Sequence, residues 1–278
     1  MGGYKTARWR VSLGDSHWDE LAGKVALLSL PRSFGLSLIQ GYFVEPLLEM
    51  AFVRRGAILA PAAGFVNGRG ATLLLGASRS GKSSLMVRAL GEGVRILGDD
   101  QVIISSQKTT FSFPRRLRVY PDIRTTAPST YSTFPRGTRT ALRGLGALSR
   151  STAKWVAPPL RIQPSAVGPA PAKEELPLER IYLIQRDERV EEPHRSVVDV
   201  LTIVERMLAL LDRQREKLSP IVAAEPAWIK LLEHVRDRER HILGKALEGI
   251  DAEQLIMPKR WEPVRAIDYL QQQIGVGV

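Results

Sequence analysis

Cysteine is absent from the chain, which excludes disulfide bonds and thiolate metal sites. Also missing is any run of about 18 to 20 apolar residues, the length that a membrane-spanning helix needs. The first ten residues, MGGYKTARWR, lack the apolar stretch of a secretory signal. These absences make the cytoplasm the expected location. The 278 residues, 44% of them hydrophobic, suffice for one α/β domain with an appendage or for two small domains.

Acidic residues are scarce in one part of the chain. Between Arg115 and Arg161, ten basic residues are opposed by Asp122 alone, so this stretch carries nine of the eleven net positive charges. A field of this sign attracts phosphates, acidic peptides, nucleic acid or an anionic membrane surface. The simplest interpretation is a solvated basic face, and two functional interpretations stand beside it.

In the first functional interpretation, some of these arginines hold the transferred phosphoryl group or an acidic acceptor, because phosphoryl transfer needs cationic groups around the phosphate. The arginines nearest in sequence to the predicted core are Arg115, Arg116, Arg118 and Arg124. In the second, the region from Thr140 to Ile162, which contains Trp155 and several leucines, lies on an anionic membrane surface.

Hydrophobic periodicity predicts alternating strands and helices in the first two thirds of the chain. Strands are expected at residues 24–30, 57–66, 71–75, 94–97, 101–105, 110–113 and 181–184. Helices are expected at residues 36–54, 84–90 and 138–149. Asn67-Gly68 is typical of a tight hairpin turn, because both residues tolerate positive φ angles. The prolines from Pro158 to Pro177 predict an extended or looped segment.

The last third of the chain is predicted to be helical. Ser196 followed by Asp199 is typical of a capping box at the start of one helix, a second helix covers residues 226–247, and a third follows Pro263. Their apolar faces either pack on the same chain or supply the contact of a homo-oligomer or a substrate. We therefore predict an α/β fold with a core at residues 1–195, including the basic and proline-rich segment 114–177, and a helical region at residues 196–278.

Residues 76–83 have the G-x-x-x-x-G-K-S spacing of a phosphate loop. The two glycines let the backbone curl so that amide groups point at a phosphate, and the following helix adds its positive N-terminal end. Lys82 would reach the β- and γ-phosphates, and the Ser83 hydroxyl would bind Mg²⁺. A strand before the loop and a helix after it support the prediction. The predicted nucleotide-binding residues are Gly76, Ala77, Ser78, Arg79, Ser80, Gly81, Lys82, Ser83 and Ser84.

Two aspartates follow the next predicted strand. Asp100 lies eighteen residues beyond Lys82, with Asp99 beside it. A carboxylate from a neighbouring strand normally completes an Mg²⁺ site, and a second carboxylate could accept the proton of an attacking hydroxyl. Because consecutive strand residues point to opposite faces, both can serve one site only if the strand ends or kinks at Gly98. The alternative is that Gly98-Asp99-Asp100 is only a turn.

The run LLLGASRSGKSSL, a short helix and then RILGDDQVII resemble the HPr kinase/phosphorylase family and its relatives. The resemblance covers about residues 43–104, roughly a fifth of the chain. It implies a mixed-sheet P-loop core like that of the ATP-using phosphoenolpyruvate carboxykinases, and an enzyme that uses ATP and Mg²⁺ to phosphorylate a serine. It also implies roles for individual residues: Asp99 as general base beside Lys82 in the catalytic centre, and Asp100 with Ser83 in the Mg²⁺ site.

The chain departs from the family pattern in two places. The family has a histidine on the strand before the hairpin turn, whereas residues 58–62 contain none. The family's C-terminal motif for binding its carrier protein has no clear counterpart. Two hypotheses therefore stay open: a kinase that acts on a hydroxyl of a peptide, a protein or a small molecule other than HPr, or an ATPase or nucleotide-dependent switch without a phosphoryl acceptor. A basic nucleic-acid kinase or binder is a third and weaker hypothesis.

Overall fold

The structure is a computed structural model, and it describes residues 2–4, 7–12, 22–26, 44–113, 115–151, 159–216 and 227–276. Contacts divide the chain into two compact units. The first comprises Met1–Arg55 and Leu208–Glu239, and the second comprises Gly56–Met207 and Arg240–Val278. The predicted phosphate loop and both aspartates therefore belong to the second unit.

The first unit contains a small antiparallel sheet and helical segments. Its strands β1 (Gly2–Tyr4), β2 (Ala7–Ser12) and β3 (Ala22–Ala26) pair in that order. Helix α1 (Glu45–Arg54) has a proline in its first turn, where the missing N–H has no intrahelical partner to lose. The parts of the predicted strand and helix that cover residues 27–30 and 36–43 lie outside the described residues.

The second unit is built on a nine-stranded mixed sheet. Its strands are β4 (Ala57–Ala60), β5 (Ala63–Asn67), β6 (Gly70–Gly76), β7 (Ile96–Gly98), β8 (Val102–Ser105), β9 (Thr109–Ser112), β12 (Leu176–Asp187), β13 (His194–Val197) and β14 (Asp251–Pro258). A separate antiparallel pair is formed by β10 (Leu117–Val119) and β11 (Leu160–Ile162).

Strand β12 holds the sheet together, because it pairs with three different strands. Its first two residues pair antiparallel with β9, which continues to β8 and β4. The rest of β12 runs parallel to β6 on one side and to β14 on the other. Beyond β6 the order is β5 and then β7, and beyond β14 it is β13. The chain is thus a mixed α/β protein, as predicted.

The helices after α1 are α2 (Lys82–Gly91), α3 (Ile123–Thr126), α4 (Pro128–Thr133), α5 (Arg136–Ser151), α6 (Val200–Arg215), α7 (Ala227–Leu247) and α8 (Pro263–Ile274). One apolar cluster joins the sheet to α2, α5 and α8, and it includes Leu74, Leu85, Leu142, Tyr182 and Ile267. Burial of these side chains fixes the start of α2 against the end of β6. In the described part of the chain, no helix combines the length and the apolar character needed to cross a bilayer.

The predicted strand at residues 57–66 is wrong, because Pro61 interrupts it. The structure has two strands there, and β4 pairs with β8 whereas β5 pairs with β6. Proline has no N–H to offer a strand ladder, so it separates them. The hairpin turn also lies one position later than predicted: Asn67 pairs with Gly70, which leaves Gly68, at φ 59°, and Arg69 as the turn residues.

The prediction of a wholly helical last third is wrong for two segments. Ser196 lies in strand β13, and Asp199 caps α6 instead, with its Oδ1 accepting the Thr202 N–H at 2.9 Å. The second segment is β14, whose parallel pairing with β12 overrides the helix propensity of its alanine, glutamate, glutamine and leucine. Helices α7 and α8 are confirmed.

Candidate functional site

The loop of residues 76–83 connects β6 to α2, which confirms the predicted strand–loop–helix order. Gly76 lies so close to β12 that a Cβ atom there would stand 2.5 Å from the carbonyl oxygen of Ile184. Gly81 has a φ of 107°, a conformation that glycine adopts without strain. Arg79 has a φ of 68° although it carries a side chain, so the tip of the loop is held in an uncommon backbone conformation.

The ammonium group of Lys82 is drawn into this loop. Its Nζ donates to the carbonyl oxygens of Gly76 at 2.6 Å and Ala77 at 3.1 Å, and to the hydroxyl of Ser80 at 3.2 Å. Burial lowers the pKa of Lys82 below its ordinary value, and the nearby aspartate carboxylates act in the opposite direction. Neutral oxygens are weaker partners for a cation than phosphate oxygens, so Lys82 is placed to exchange them for an anion.

Helix α2 starts at this lysine without a cap. Its N-cap residue, Gly81, has no side chain to accept a hydrogen bond from the first turn, and that turn contains no acidic residue. The backbone hydrogen bonds of the helix begin at Leu85, whose N–H donates to the Gly81 carbonyl at 3.0 Å. The preceding amides and the positive end of the helix dipole therefore face the loop, where they would favour a bound phosphate.

Asp99 is the buried member of the aspartate pair, at 3% exposed. Its Oδ2 accepts the N–H of Arg118 at 3.1 Å, whereas its Oδ1 has no hydrogen-bond partner among the described residues. Burial raises the pKa of Asp99 above its ordinary value, and the Arg118 N–H and the Ser83 hydroxyl oppose that rise. The Ser83 hydroxyl lies near enough to lower the pKa of the carboxylate, but the two groups do not reach full hydrogen-bond geometry, so their contact is weak.

Asp100 is more exposed and is held by arginines. Its Oδ2 lies 2.6 Å from Nη2 of Arg118 and 3.7 Å from Nη1 of Arg115. Arg115 also donates to Oε1 of the buried Gln101 at 3.1 Å. Arg118 therefore contacts both aspartates, one through its backbone N–H and the other through its guanidinium group.

The two aspartates can serve one site only if the strand before them ends or kinks at Gly98, and the structure meets this condition. Strand β7 ends at Gly98, so Asp99 and Asp100 lie beyond the regular strand and need not point to opposite faces. A Cβ atom at Gly98 would stand 2.1 Å from the carbonyl oxygen of Gln101, a distance that only glycine tolerates. Both carboxylates consequently lie close enough to Lys82 to favour its charged form.

The oxygen donors around the loop fit Mg²⁺. The described residues contain no group of three or more histidine, cysteine, aspartate or glutamate side chains that could hold a metal ion. Mg²⁺ does not require such a group, because it is bound by one or two carboxylates together with substrate phosphates and water. The Ser83 hydroxyl and the carboxylate of Asp100 are donors of this kind.

The structure brings the predicted loop residues and the aspartate pair into one place in the second unit. Of the four arginines singled out in the sequence, Arg115 and Arg118 reach this place. Arg116 and Arg124 are exposed and form no ion pair in the described part of the chain. Sequence reasoning missed Gln101, whose one signal was its position next to the aspartates.

A cavity of about 490 Å³ lies in the first unit, and unlike the loop it is lined mostly by apolar residues. It contains no residue of the loop or of the aspartate turn. A mostly apolar wall with two arginines offers little to bind a triphosphate, so we place the functional site at the loop. The cavity is lined by Val44, Leu47, Leu48, Met50, Ala51, Arg54 and Arg55.

Comparison with known proteins adds no family to these observations. A scan against models of protein families finds no match, and a search of curated proteins finds no significant match. Any functional conclusion therefore depends on the geometry and chemistry of the site itself.

Proposed function

We propose that this protein is an ATP-dependent kinase with a P-loop core of the type found in HPr kinase and the ATP-using phosphoenolpyruvate carboxykinases. It would transfer the γ-phosphoryl group to a hydroxyl, that of a serine in a peptide, a protein or a small molecule. One observation carries the proposal: the aspartate pair, joined by Arg118, lies beside Lys82 at the uncapped start of α2. A nucleotide-binding loop and a candidate general base are thereby supplied together.

Phosphate binding is assigned to Lys82 and to the amides at the start of α2. Lys82 would exchange the carbonyl oxygens of its own loop for the β- and γ-phosphates. Ser83 and Asp100 would hold Mg²⁺, which supplies positive charge to the phosphate oxygens during transfer. Arg118 and Arg115 lie on the same carboxylate of Asp100, so they add positive charge at the place where the transferred group must pass.

Asp99 is assigned the role of general base. Burial raises its pKa, which makes the carboxylate a better proton acceptor, and its Oδ1 accepts no full hydrogen bond from the described residues. The acceptor's hydroxyl proton would pass to Oδ1 while its oxygen bonds to the γ-phosphorus and the bond to the β-phosphate oxygen breaks, which leaves ADP. The N–H of Arg118 holds the other carboxylate oxygen in place during this step.

The proposal is tested with ATP labelled at the γ-phosphate and a panel of serine-containing acceptors. We expect label on an acceptor with the wild-type protein, and loss of both ATP binding and transfer with Lys82→Ala. Asp99→Asn should bind MgATP normally but transfer at least about a hundredfold more slowly, since a general base contributes roughly 10² to 10⁴ in rate. Asp100→Asn should raise the Mg²⁺ concentration needed for half-maximal activity.

The matched control for the lysine variant is Lys245→Ala, which removes an exposed lysine of α7 that forms no ion pair in the described part of the chain. It should behave as wild type. If Asp99→Asn rather than Asp100→Asn changes the Mg²⁺ requirement, the two roles are exchanged. Full transfer activity in Asp99→Asn together with an unchanged Mg²⁺ requirement would remove this residue from the mechanism.

The second candidate function is an ATPase or nucleotide-dependent switch without a phosphoryl acceptor. It is favoured by the segment from β4 to β5, which lacks the histidine found in the kinase family that the sequence resembles. The same labelled ATP separates the two candidates. Release of inorganic phosphate alone, with no label on any acceptor, would support the ATPase and contradict the kinase.

A further inference from the structure

Helix α5 carries a basic face that the proposed phosphoryl transfer does not use. Arg136, Arg143 and Arg150 are spaced seven residues apart, so they lie on one side of the helix with about 10.5 Å between successive Cα atoms. Arg139 lies next to this line. The helix contains no acidic residue. We call these four residues the arginine stripe.

The arginine stripe has no ion-pair partner in the described part of the chain. None of its four guanidinium groups forms an ion pair with any of the described residues, and three of the four side chains are exposed. Other arginines of the second unit are paired: Arg88 lies 2.5 Å from Asp268, and Arg240 lies 3.1 Å from Glu205. A row of four unpaired, like-charged groups is a cost in self-repulsion that an external anion would relieve.

Helix α5 is anchored to the segment that reaches the aspartate pair. Leu142 is buried in the core cluster, and a Cβ atom at Gly146 would stand 3.2 Å from Cβ of Pro121. Pro121 follows Arg118 by three residues, so their Cα atoms are at most about 11 Å apart. Arg118 is the residue that contacts Asp99 and Asp100. A partner bound along the arginine stripe is therefore held by a helix that packs on the segment following β10.

We propose that the arginine stripe docks an acidic helical segment of the protein that this kinase phosphorylates. The assignment of the partner as substrate rests on the proposed kinase function, whereas the docking itself does not. A helix with carboxylates seven residues apart presents them at the same spacing as the stripe, and it can lie alongside α5 with each carboxylate near one guanidinium group. Three such contacts, with Arg139 beside them, would orient the segment while leaving a neighbouring hydroxyl free for the aspartate pair.

The rest of α5 argues against a membrane and against nucleic acid. A helix that lies on a membrane buries large apolar side chains beside its basic ones. The one large hydrophobic side chain of α5 that is exposed is Leu148, at 43%, and the other exposed residues outside the stripe are small: Gly137, Thr140, Ala141, Gly144, Ala147 and Ser151. The helix also has no aromatic residue on which a base could stack.

The test measures binding of a labelled helical peptide of about 21 residues by fluorescence anisotropy, with glutamate at every seventh position and one serine. A permuted peptide of the same composition, with the glutamates out of register, is the first control. The variant that removes the stripe is Arg136→Gln, Arg143→Gln and Arg150→Gln together. We expect it to weaken binding at least about tenfold at low salt, because three ion pairs are lost, each of which is weak by itself.

The matched control variant is Arg206→Gln, Arg213→Gln and Arg238→Gln, which removes the same charge from three exposed helical arginines without ion pairs in the described part of the chain. It should bind the peptide within about twofold of wild type, since all four arginines of the stripe are kept. Lysine at the three stripe positions should keep most of the binding. Equal loss in the control variant would overturn the proposal in favour of net charge alone.

Three further outcomes bear on the partner. Equal binding of the permuted peptide would contradict the proposal that the carboxylates must be spaced seven residues apart on a helix. Tighter stripe-dependent binding of vesicles rich in phosphatidylglycerol, or of a single-stranded oligonucleotide, would overturn the choice of an acidic protein. The kinase function is judged separately, by MgATP binding. The stripe variant should still bind MgATP. Lys82→Ala should lose MgATP binding but should still bind the peptide. If the wild type fails to bind MgATP but binds the peptide, docking stands and the proposed function fails.

Discussion

At Asp99, the proposed role as general base conflicts with the burial of the carboxyl group. The side chain is 3% exposed, and among the described residues only its Oδ2 accepts a full hydrogen bond. Burial raises its pKa, which means that the folded protein disfavours the charged form. A general base must nevertheless be charged before it can accept a proton. Under the proposed mechanism, the fold therefore carries an energetic cost at this residue that the transfer step requires.

Asp99→Asn should stabilise the protein near neutral pH by about 1 kcal/mol, because it removes a buried charge and keeps an acceptor for the Arg118 N–H. The sign follows from the raised pKa: the stability contributed by Asp99 is fully present below its ordinary pKa of about 3.9 and is lost as the pH rises through the folded value. The advantage of the variant should therefore shrink toward acidic pH. Chemical denaturation at a series of pH values measures it.

Asp100→Asn is the comparison for this stability measurement. Asp100 is 38% exposed and pairs with two arginines, so its charge is not an unpaired buried one. We expect no stabilisation from its removal at neutral pH. A stability gain in Asp99→Asn that persisted unchanged at acidic pH would show that burial of the charge is not its cause.

The sequence predicted the site residues whose role depends on local spacing. The loop residues up to Lys82 and Ser83 are fixed by a strand, a turn and a helix start that follow one another in the chain. The sequence could not predict that Arg118 contacts both Asp99 and Asp100, because these contacts depend on where β10 lies relative to the aspartate turn. Gln101 was missed for the same reason, since its partner Arg115 is fourteen residues away.

Among the elements, α5 offers a direct test of its packing through two glycines. Gly144 has no atom within 4 Å of the place where a Cβ would stand, whereas the corresponding distance from Gly146 to Pro121 is 3.2 Å. Gly144→Ala should raise the free energy of unfolding by about 0.5 to 1 kcal/mol, because alanine is the better helix former. Gly146→Ala should gain less than half of that, because Pro121 has to move.

The measurement for both glycine variants is urea denaturation followed by circular dichroism. Both substitutions are identical in chemistry and lie in one helix, so the difference between them reports the contact with Pro121 rather than helix propensity. Equal gains from the two variants would mean that α5 does not pack closely on the segment that carries Arg118.

Elements with a strong local pattern were predicted well, and those defined by long-range pairing were not. Helices α7 and α8 follow apolar periodicity and match within a few residues. Strand β14 lies between them and consists largely of helix-forming residues, so its pairing with β12 and β13 makes it a strand. Strand β12 was predicted as the short run 181–184. Its full length of twelve residues reflects its pairing with three strands, β6, β9 and β14.

On the scale of the whole molecule, the compact units are not consecutive pieces of the chain. Each unit combines an early part with a late part, and helices α6 and α7 each contain residues of both. A composition shift along the sequence reveals only linear boundaries, such as the one predicted between residues 195 and 196. The predicted boundary stays a prediction, and the discontinuous division is a property of the contacts.

Nucleotide binding should stabilise the whole protein by mass action. At a MgATP concentration about a hundredfold above its Kd, the free energy of unfolding should rise by about 2.7 kcal/mol, provided that the unfolded chain does not bind. Lys82→Ala should show no such rise. Denaturation in MgATP, in Mg²⁺ alone and in Mg²⁺ with AMP measures it, and AMP is the control because it lacks the β- and γ-phosphates. Equal stabilisation by AMP would contradict binding through the loop.

The pairing of Gly76 with Ile184 has a consequence for how the protein is made. Gly76 ends the strand that supports the loop, and its partner strand is synthesised more than a hundred residues later. The neighbouring strand β14 comes later still. Contacts of such large sequence separation form slowly, after a long stretch of chain has been ordered. The loop therefore reaches its final geometry only after β12 has been synthesised, and a nascent chain that ends before β12 lacks the strand that holds Gly76.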